Sequence, residues 1–172
     1  FFVYLVVLLA ALLGQDILLE PFAGELFGLT VQQTTRITSI WGGCVLAALL
    51  VAGVLEARFT RRRVANIGGM GALIGFGMIT ASGIILSKGM FYIGLILLGI
   101  GTGLSTVSNL SLMFNMTTPD KVGLYIGAWG MANALSRLLG SVIGGAVRDL
   151  VAKLSGNVDL SYIAVFGLMT VI

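Results

Sequence analysis

The chain has 172 residues, of which 58% are hydrophobic and only 10% are charged, with a formal net charge of +3. About a quarter of the residues in a typical soluble domain are charged, and a soluble fold of this size exposes too much surface for so few polar groups to cover. The mean hydropathy of +1.06 therefore excludes a soluble domain and predicts an integral membrane protein.

Apolar runs long enough to cross a bilayer recur along the chain, since a hydrocarbon core of ~30 Å needs about 20 helical residues. The pattern predicts five spans and part of a sixth: Phe1–Leu19, Gln33–Leu55, Val64–Leu86, Met90–Met116, Val122–Val151, and a last one that begins near Leu160 and is cut at Ile172. Glu20-Pro21 is expected to close the first span, because proline disfavours helix at the residue before it. The amphipathic stretch Phe22–Val31 then leads to the second.

The predicted connections are short and polar. They are a basic loop at Glu56–Arg63, a tight turn at Ser87–Gly89, a loop at Thr117–Lys121 with the helix breaker Pro119, and a polar segment at Lys153–Asp159 with Gly156 and Asn157 as turn residues. Runs such as Met90–Ile100 are apolar throughout, whereas the strands of a membrane barrel alternate apolar and polar residues. The fold class is therefore predicted to be all-α, a polytopic membrane helix bundle.

Positive charge in the connections predicts the orientation. Arg58, Arg61, Arg62 and Arg63 cluster after the second span, and Lys121 follows the fourth. This side is expected to be cytoplasmic. The acidic residues Asp16, Glu20 and Glu25 then lie at the opposite side of the membrane.

Glycine accounts for 25 of the 172 residues, about twice its usual share of ~7%. Small residues recur at four-residue spacing in three predicted spans: Ala132, Ser136, Gly140 and Gly144; Gly71 and Gly75; Gly99 and Gly103. Such ridges let membrane helices approach closely. Plain helix packing is the favoured interpretation, and a flat face that admits a flat ligand is the alternative.

Polar groups inside the spans are the strongest indicators of function, because burying them in lipid costs free energy. Arg137 lies near the middle of the fifth predicted span, and Asp16 and Glu20 lie late in the first. An Arg137–Asp16 or Arg137–Glu20 pair is therefore predicted, with either a purely structural role or a role in holding an anionic ligand group. Asn133 is a further candidate on the same helix as Arg137.

The fourth predicted span carries a polar stripe. Ser105, Ser108 and Asn109 fall on one helical face together with Gly101 and Leu112. This face either lines a cavity or forms hydrogen bonds between helices, and the sequence does not separate these two interpretations.

The chain has no histidine and one cysteine, Cys44. This composition excludes zinc–histidine, haem and serine–histidine–aspartate chemistry and any internal disulfide, and Cys44 is expected to be a small apolar residue in a packed helix. No basic stripe is interleaved with aromatic residues. We therefore expect no catalytic residues, no metal centre and no nucleic-acid partner. The chain begins and ends inside apolar runs, so it is expected to be a piece of a longer polypeptide.

The basic loop resembles a motif of the major facilitator superfamily, G-x-L-a-D-R-x-G-R-R, which joins the second and third helices of one half of that fold. The matching segment here is Gly53-Val54-Leu55-Glu56-Ala57-Arg58-Phe59-Thr60-Arg61-Arg62, followed by Arg63. Ala57 stands where the motif has aspartate and Thr60 where it has glycine, with Glu56 as the substitute acid.

Longer blocks resemble the PucC/LhaA family of that superfamily. These blocks are Gln15–Leu29, Thr34-Thr35 with Ile40-Trp41-Gly42, Gly127-Ala128-Trp129-Gly130 and Gly144–Leu150. The resemblance implies that residues 1–172 form the C-terminal six-helix half of the fold, helices seven to twelve with the last one truncated, whose partner is the N-terminal six-helix half. It also directs Gln15, Asp16, Ser105 and Asn109 towards the central cavity.

The family implies delivery of chlorophyll or bacteriochlorophyll during assembly of light-harvesting or photosystem complexes in a photosynthetic or cell inner membrane, with carotenoid as a further candidate ligand. Transport of a small solute and a structural, pigment-contacting role in a photosynthetic supercomplex are the alternatives. The residues predicted to line the cavity or to ligate the pigment are Gln15, Asp16, Glu20, Ser105, Asn109, Asn133 and Arg137. Since histidine is absent and Mg²⁺ prefers oxygen ligands, side-chain oxygens of this set are the expected ligands, and Arg137 is expected to balance the charge of a carboxylate ligand. The expected partners are lipid, the pigment and the subunits of those complexes.

Overall fold

The computed structural model describes residues 2–14, 16–156 and 158–171, and these residues form helices joined by short turns. The helices are α1 (Phe2–Gly14), α2 (Asp16–Phe27), α3 (Val31–Arg58), α4 (Arg61–Ile85), α5 (Lys88–Asn115), α6 (Val122–Ser155) and α7 (Val158–Val171), with a short 3₁₀ turn at Pro119–Lys121 before α6. The described part of the chain contains no strand. The predicted all-α class is confirmed.

Three of the described helices are long and apolar enough to cross a membrane: α3, α4 and α5, with 28, 25 and 28 residues. The helix α6 is longer, at 34 residues, but Asn133 and Arg137 in its middle make it less apolar. The helices α1 and α7 have 13 and 14 residues. The chain is an integral membrane protein, as its composition predicts.

Local capping explains where several helices begin and end. The Gln33 side chain accepts a hydrogen bond of 3.0 Å from the Thr30 backbone N–H ahead of α3, the returning half of a capping box. The Ser87 hydroxyl accepts from the Met90 backbone N–H at the start of α5. Gly156 adopts φ +64° directly after α6, the left-handed conformation that glycine adopts most easily. This confirms the predicted turn at Gly156, whereas Asn157 lies outside the described residues.

The prediction that Glu20-Pro21 closes the first span is wrong. Pro21 lies inside α2, which continues to Phe27, so the predicted amphipathic stretch is largely helical. Proline removes one backbone donor, and a membrane helix tolerates this loss where neighbouring helices hold it in place. Phe22 directly after the proline is fully buried and provides such packing.

The basic loop is shorter than predicted. The helix α3 continues to Arg58 and α4 begins at Arg61, so only Phe59 and Thr60 lie between them. Thr60 has the extended backbone conformation of an N-cap residue, which lets α4 begin directly after the turn. The four arginines therefore lie on the ends of two helices rather than on a loop.

The helices fall, in chain order, into two sets that pack against each other. The first set is α1–α2, α3 and α4, and the second is α5, α6 and α7. The leading helix of each set packs against the middle helix of the other, α1 on α6 and α5 on α3, and the last helices α4 and α7 pack together. The α4–α5 contact is the most extensive between any two helices.

Glycine makes the α4–α5 contact close. A β-carbon at Gly101 would lie 2.3 Å from the Ala72 backbone nitrogen, and one at Gly75 would lie 2.6 Å from the Leu98 backbone nitrogen. Gly99 and Gly103 face α3 instead, where added β-carbons would meet Cys44 and Ala48 at 2.8 and 2.6 Å. These glycines therefore serve helix packing, the favoured interpretation of the two ridges.

The ridge on α6 packs against the first helices. Ala132, Ser136, Gly140 and Gly144 are all buried. The Ser136 hydroxyl donates a hydrogen bond of 2.9 Å to the Val6 backbone carbonyl of α1. A β-carbon at Gly144 would lie 2.7 Å from a methyl group of Leu18 on α2.

An aromatic cluster centred on Phe22 forms the middle of the core. The Phe22 ring lies between 4.9 and 6.1 Å, centroid to centroid, from the rings of Phe27, Phe91, Tyr162 and Phe166. All five side chains are buried. The cluster therefore joins α2, α5 and α7 through one side chain.

Candidate functional site

A polar cluster joins α2, α6 and α7 at the side of the membrane opposite the four arginines. The Tyr162 hydroxyl donates a hydrogen bond of 3.2 Å to Glu25, and an Arg148 guanidinium nitrogen lies 3.8 Å from the same carboxylate oxygen. The Arg148 guanidinium also lies over the Tyr162 ring, 5.0 Å from its centroid. Tyr162 is fully buried, so Glu25 and Arg148 lie directly beside the aromatic core.

Exchanging the two charges of this cluster tests its role. Glu25→Arg or Arg148→Glu alone should destabilise the bundle by bringing like charges together, and the double variant should recover part of the loss. Because both side chains are partly exposed, we expect a coupling energy of about 0.5–1 kcal/mol. Denaturant titration of the four proteins measures it, with Lys153→Glu on α6 as a control. Additive single effects would contradict an interaction between Glu25 and Arg148.

Glu20 lies beside a cavity near that cluster. The Thr38 hydroxyl of α3 donates a hydrogen bond to the Glu20 carboxylate. A cavity of about 320 Å³ is lined by Glu20 and Glu25 together with Gly24, Leu29 and Thr34. Gln15 and the Asp16 side chain lie outside the described residues, so the Arg137–Asp16 and Arg137–Glu20 pairs remain predictions.

The polar stripe of α5 is buried, and two of its residues are hydrogen-bonded to each other along the helix. Asn109 donates from its side-chain amide to the Ser105 carbonyl at 2.8 Å and to the Ser105 hydroxyl at 3.2 Å. The hydroxyls of Thr102 and Ser108 are buried without a hydrogen-bond partner among the described residues. For Ser105 and Asn109 the structure therefore shows bonds along α5 rather than between helices.

Ser105 also lies at the floor of a groove between α1 and α4. A cavity of about 400 Å³ is lined by Leu8, Ala65, Asn66, Gly69, Met70, Leu73 and Ser105. A smaller, adjoining cavity of about 110 Å³ shares Leu8, Gly69 and Leu73 and extends to Ala11, Leu12, Ala72, Phe76 and Thr170. We call these two cavities together the α1–α4 groove. Its walls are apolar except for Asn66 and Ser105 at one end and Thr170 at the other.

Asn66 is not among the residues predicted to bind a ligand. The available signal was an amide within the apolar run after Arg63, which is the kind of polar group that marks function inside a membrane. The adjacent arginines instead mark that segment as a basic connection between two spans. The cluster of Glu25, Arg148 and Tyr162 was likewise not predicted, since Glu25 lies more than a hundred residues before the other two.

Glu20 and Ser105 lie at different depths in the membrane. Thr38, the partner of Glu20, is seven residues from the start of α3, about 10 Å along the axis. Ser105 is seventeen residues from the start of α5, about 26 Å along the axis, and both helices begin on the same side. The α1–α4 groove and the Glu20 cavity are therefore two separate candidate sites.

The two candidates on α6 lie in its middle. The Asn133 amide donates a hydrogen bond of 3.0 Å to the Trp129 carbonyl of the same helix, which satisfies one of its donors. Arg137 occupies an exposed position one turn further on. Their role in holding a ligand remains a prediction.

Glu56, the acid in the segment that resembles the superfamily motif, has a charged partner at the turn between α3 and α4. The Glu56 carboxylate lies 3.7 Å from the Arg61 side-chain nitrogen, and its side chain is only 11% exposed. Gly53 lies one turn before it on α3, and Arg58, Arg62 and Arg63 are exposed around the turn. Glu56 thus pairs with a motif arginine although it stands one position before the aspartate of the motif.

This fold and its interior polar groups define a polytopic membrane helix bundle with two candidate ligand cavities. The whole chain, residues 1–172, matches the family described as PUCC protein. The chain therefore belongs to the PUCC protein family, which confirms the resemblance found in the sequence.

Three curated relatives illustrate the similarity. The chain is 32% identical to Protein PucC of Cereibacter sphaeroides over 89% of this chain and 34% of that protein. It is 27% identical to the bacteriochlorophyll synthase 44.5 kDa chain of Rhodobacter capsulatus over 79% of this chain and 33% of that protein. It is 30% identical to an uncharacterized MFS-type transporter of Mycobacterium tuberculosis over 66% of this chain and 19% of that protein. The chain spans about a third of the length of the PucC proteins that it matches.

Proposed function

We propose that this chain belongs to a carrier that delivers chlorophyll or bacteriochlorophyll to light-harvesting or photosystem complexes as they assemble in a photosynthetic membrane. In this proposal the chain is the C-terminal six-helix half of a major-facilitator-type fold, and the N-terminal half completes the carrier. Membership of the PUCC protein family supports it, as do the contacts of α1 with α6 and of α3 with α5, which join the two sets of helices into one bundle. The function is non-enzymatic, binding and transfer rather than chemical conversion.

The observation that carries the proposal is the α1–α4 groove. Its larger cavity has a volume of about 400 Å³, within the range of small-molecule sites, and its apolar walls end in a few polar groups. An amphipathic pigment with a hydrocarbon tail and one polar centre suits such walls. The donors in the groove are the amide oxygen of Asn66 and the hydroxyl oxygens of Ser105 and Thr170, and Mg²⁺ accepts oxygen ligands. When bound, the pigment would supply the light-absorbing macrocycle.

Absorption spectroscopy tests this function. The full-length protein, purified in mild detergent from pigment-producing membranes, should carry a Soret band and a red band that co-elute with it in size-exclusion chromatography. The control is an unrelated membrane protein of similar size purified from the same membranes, which corrects for free pigment in the micelles. A colourless protein would contradict the proposal.

Solute transport is the second candidate function. It is favoured by the similarity to a protein named as an MFS-type transporter and by the pairing of Glu56 with Arg61 at the motif turn. A colourless protein that moves a solute into reconstituted vesicles would support this alternative.

A further inference from the structure

One face of α5 is uncovered between α3 and α4. Gly99 packs against α3 and Gly101 against α4, and Ile100 lies between them, about 100° around the helix from each. Ile93 and Ile96 continue this face, and all three isoleucines are exposed. The helices α3 and α4 make few contacts with each other, so they diverge from their short connection. We call the open space that they leave over these isoleucines the α3–α4 wedge.

An exposed apolar stripe on each flanking helix ends in an arginine. On α3, Val51 and Val54 are exposed and lie seven and four residues before Arg58, on the same helical face. On α4, Ile67 is exposed and lies four residues after Arg63. Both stripes therefore lead along the membrane to a positive charge at the narrow end of the wedge, where only two residues separate α3 from α4.

The protein does not neutralise these two charges. Glu56 pairs with Arg61, and within the described ranges no carboxylate lies within ion-pair distance of Arg58 or Arg63. Basic clusters at the ends of membrane helices attract anionic lipid headgroups, and a guanidinium binds phosphate through two parallel hydrogen bonds. An apolar floor that ends in unpaired arginines thus has the charge and polarity of an anionic lipid in reverse.

We propose that the α3–α4 wedge binds an anionic phospholipid, whose phosphate pairs with Arg58 and Arg63 and whose acyl chains lie over the isoleucines of α5. This inference goes beyond the proposed function and does not depend on pigment binding. The apolar floor favours a lipid over a free phosphate or an acidic peptide. The two unpaired arginines favour an anionic headgroup over a zwitterionic one.

Lipid retention by the full-length protein tests the inference. The protein is delipidated in detergent, mixed with fluorescent phosphatidylglycerol or phosphatidylcholine in micelles, and separated by size-exclusion chromatography. The wild type should retain phosphatidylglycerol at least fivefold more than phosphatidylcholine. Arg58→Gln/Arg63→Gln should lower the retention of phosphatidylglycerol at least fivefold and leave that of phosphatidylcholine unchanged.

Two controls remove charge elsewhere. Arg36→Gln/Lys88→Gln removes the same charge from exposed residues near the starts of α3 and α5, at the other side of the membrane. Arg62→Gln removes one charge beside Arg63, but Arg62 shares its face of α4 with Asn66, which lines the α1–α4 groove. Both proteins should keep at least half of the wild-type retention of phosphatidylglycerol.

The results that would overturn the inference are distinct. Equal retention of the two lipids by the wild type would exclude a preference for an anionic headgroup. The same loss in Arg36→Gln/Lys88→Gln as in Arg58→Gln/Arg63→Gln would mean that lipid follows net charge alone. Displacement of the lipid by excess inorganic phosphate would mean that the acyl chains are not held. A colourless protein that still retains phosphatidylglycerol selectively would contradict the pigment function and support this inference. Equal melting temperatures and elution volumes establish that the variants being compared are folded.

Discussion

Replacing Phe22 with alanine should lower the free energy of unfolding by about 3 kcal/mol or more, as large-to-small changes in packed cores do. The Phe22 side chain is fully buried and contacts the rings of Phe27, Phe91, Tyr162 and Phe166. Its removal would leave a cavity that lipid does not reach, between three helices whose association depends on packing. Denaturant titration in mixed micelles, followed by circular dichroism, measures the loss.

Phe114→Ala is the matched control for this prediction. Phe114 lies near the end of α5 and is 44% exposed, so its removal should change the free energy of unfolding by less than about 1 kcal/mol. Equal losses in the two variants would contradict the central position of Phe22. Phe22→Leu should fall between the wild type and Phe22→Ala, because it retains part of the volume.

Replacing Gly101 with alanine should separate α4 from α5. The added β-carbon would lie 2.3 Å from the Ala72 backbone nitrogen and 2.7 Å from the Gly68 carbonyl oxygen. Backbone atoms cannot rotate out of the way as the end of a side chain can. We therefore expect a destabilisation of about 1–3 kcal/mol, and a greater one for Gly101→Val. Fluorescence-detected size-exclusion chromatography after heating measures the folded fraction.

Gly89→Ala on the same helix provides the comparison. A β-carbon at Gly89 would have no atom within 4 Å, and alanine is a better helix former than glycine by up to about 1 kcal/mol. This variant should be neutral or slightly stabilised. A stable Gly101→Ala protein would mean that α4 and α5 are not held at the close approach that their glycines permit.

The spans and their packing surfaces were largely predictable. Apolar runs and their interruptions are local properties, so the predicted spans coincide with α3, α4 and α5 to within a few residues. The small-residue ridges were also predicted correctly as packing surfaces, because a close helix approach requires small side chains wherever the partner lies. The prediction at Pro21 was wrong because proline's effect on the preceding residue is a local property. The aromatic core that packs around Phe22 and keeps α2 helical there is a property of the tertiary structure.

The two candidate sites were less predictable, because each depends on residues brought together from distant parts of the chain. Glu20 was recognised as an intramembrane acid, but its partner Thr38 was not. Ser105 and Asn109 were correctly placed on one face of a helix. The apolar wall that α1 supplies to the groove was not predicted, and Asn66 lines the groove only because that wall lies opposite it.

The sequence by itself determined that this is a membrane protein of apolar helices, and its family resemblance came from blocks of adjacent residues. Only the tertiary structure decided which helix each face meets. Gly101 and Gly103 are two residues apart, about 200° around the helix, and they pack against α4 and α3 respectively. Glu25 and Tyr162 form a hydrogen bond across 137 positions of the chain. Composition and spacing describe one helix at a time, whereas a site or a core forms where several helices meet.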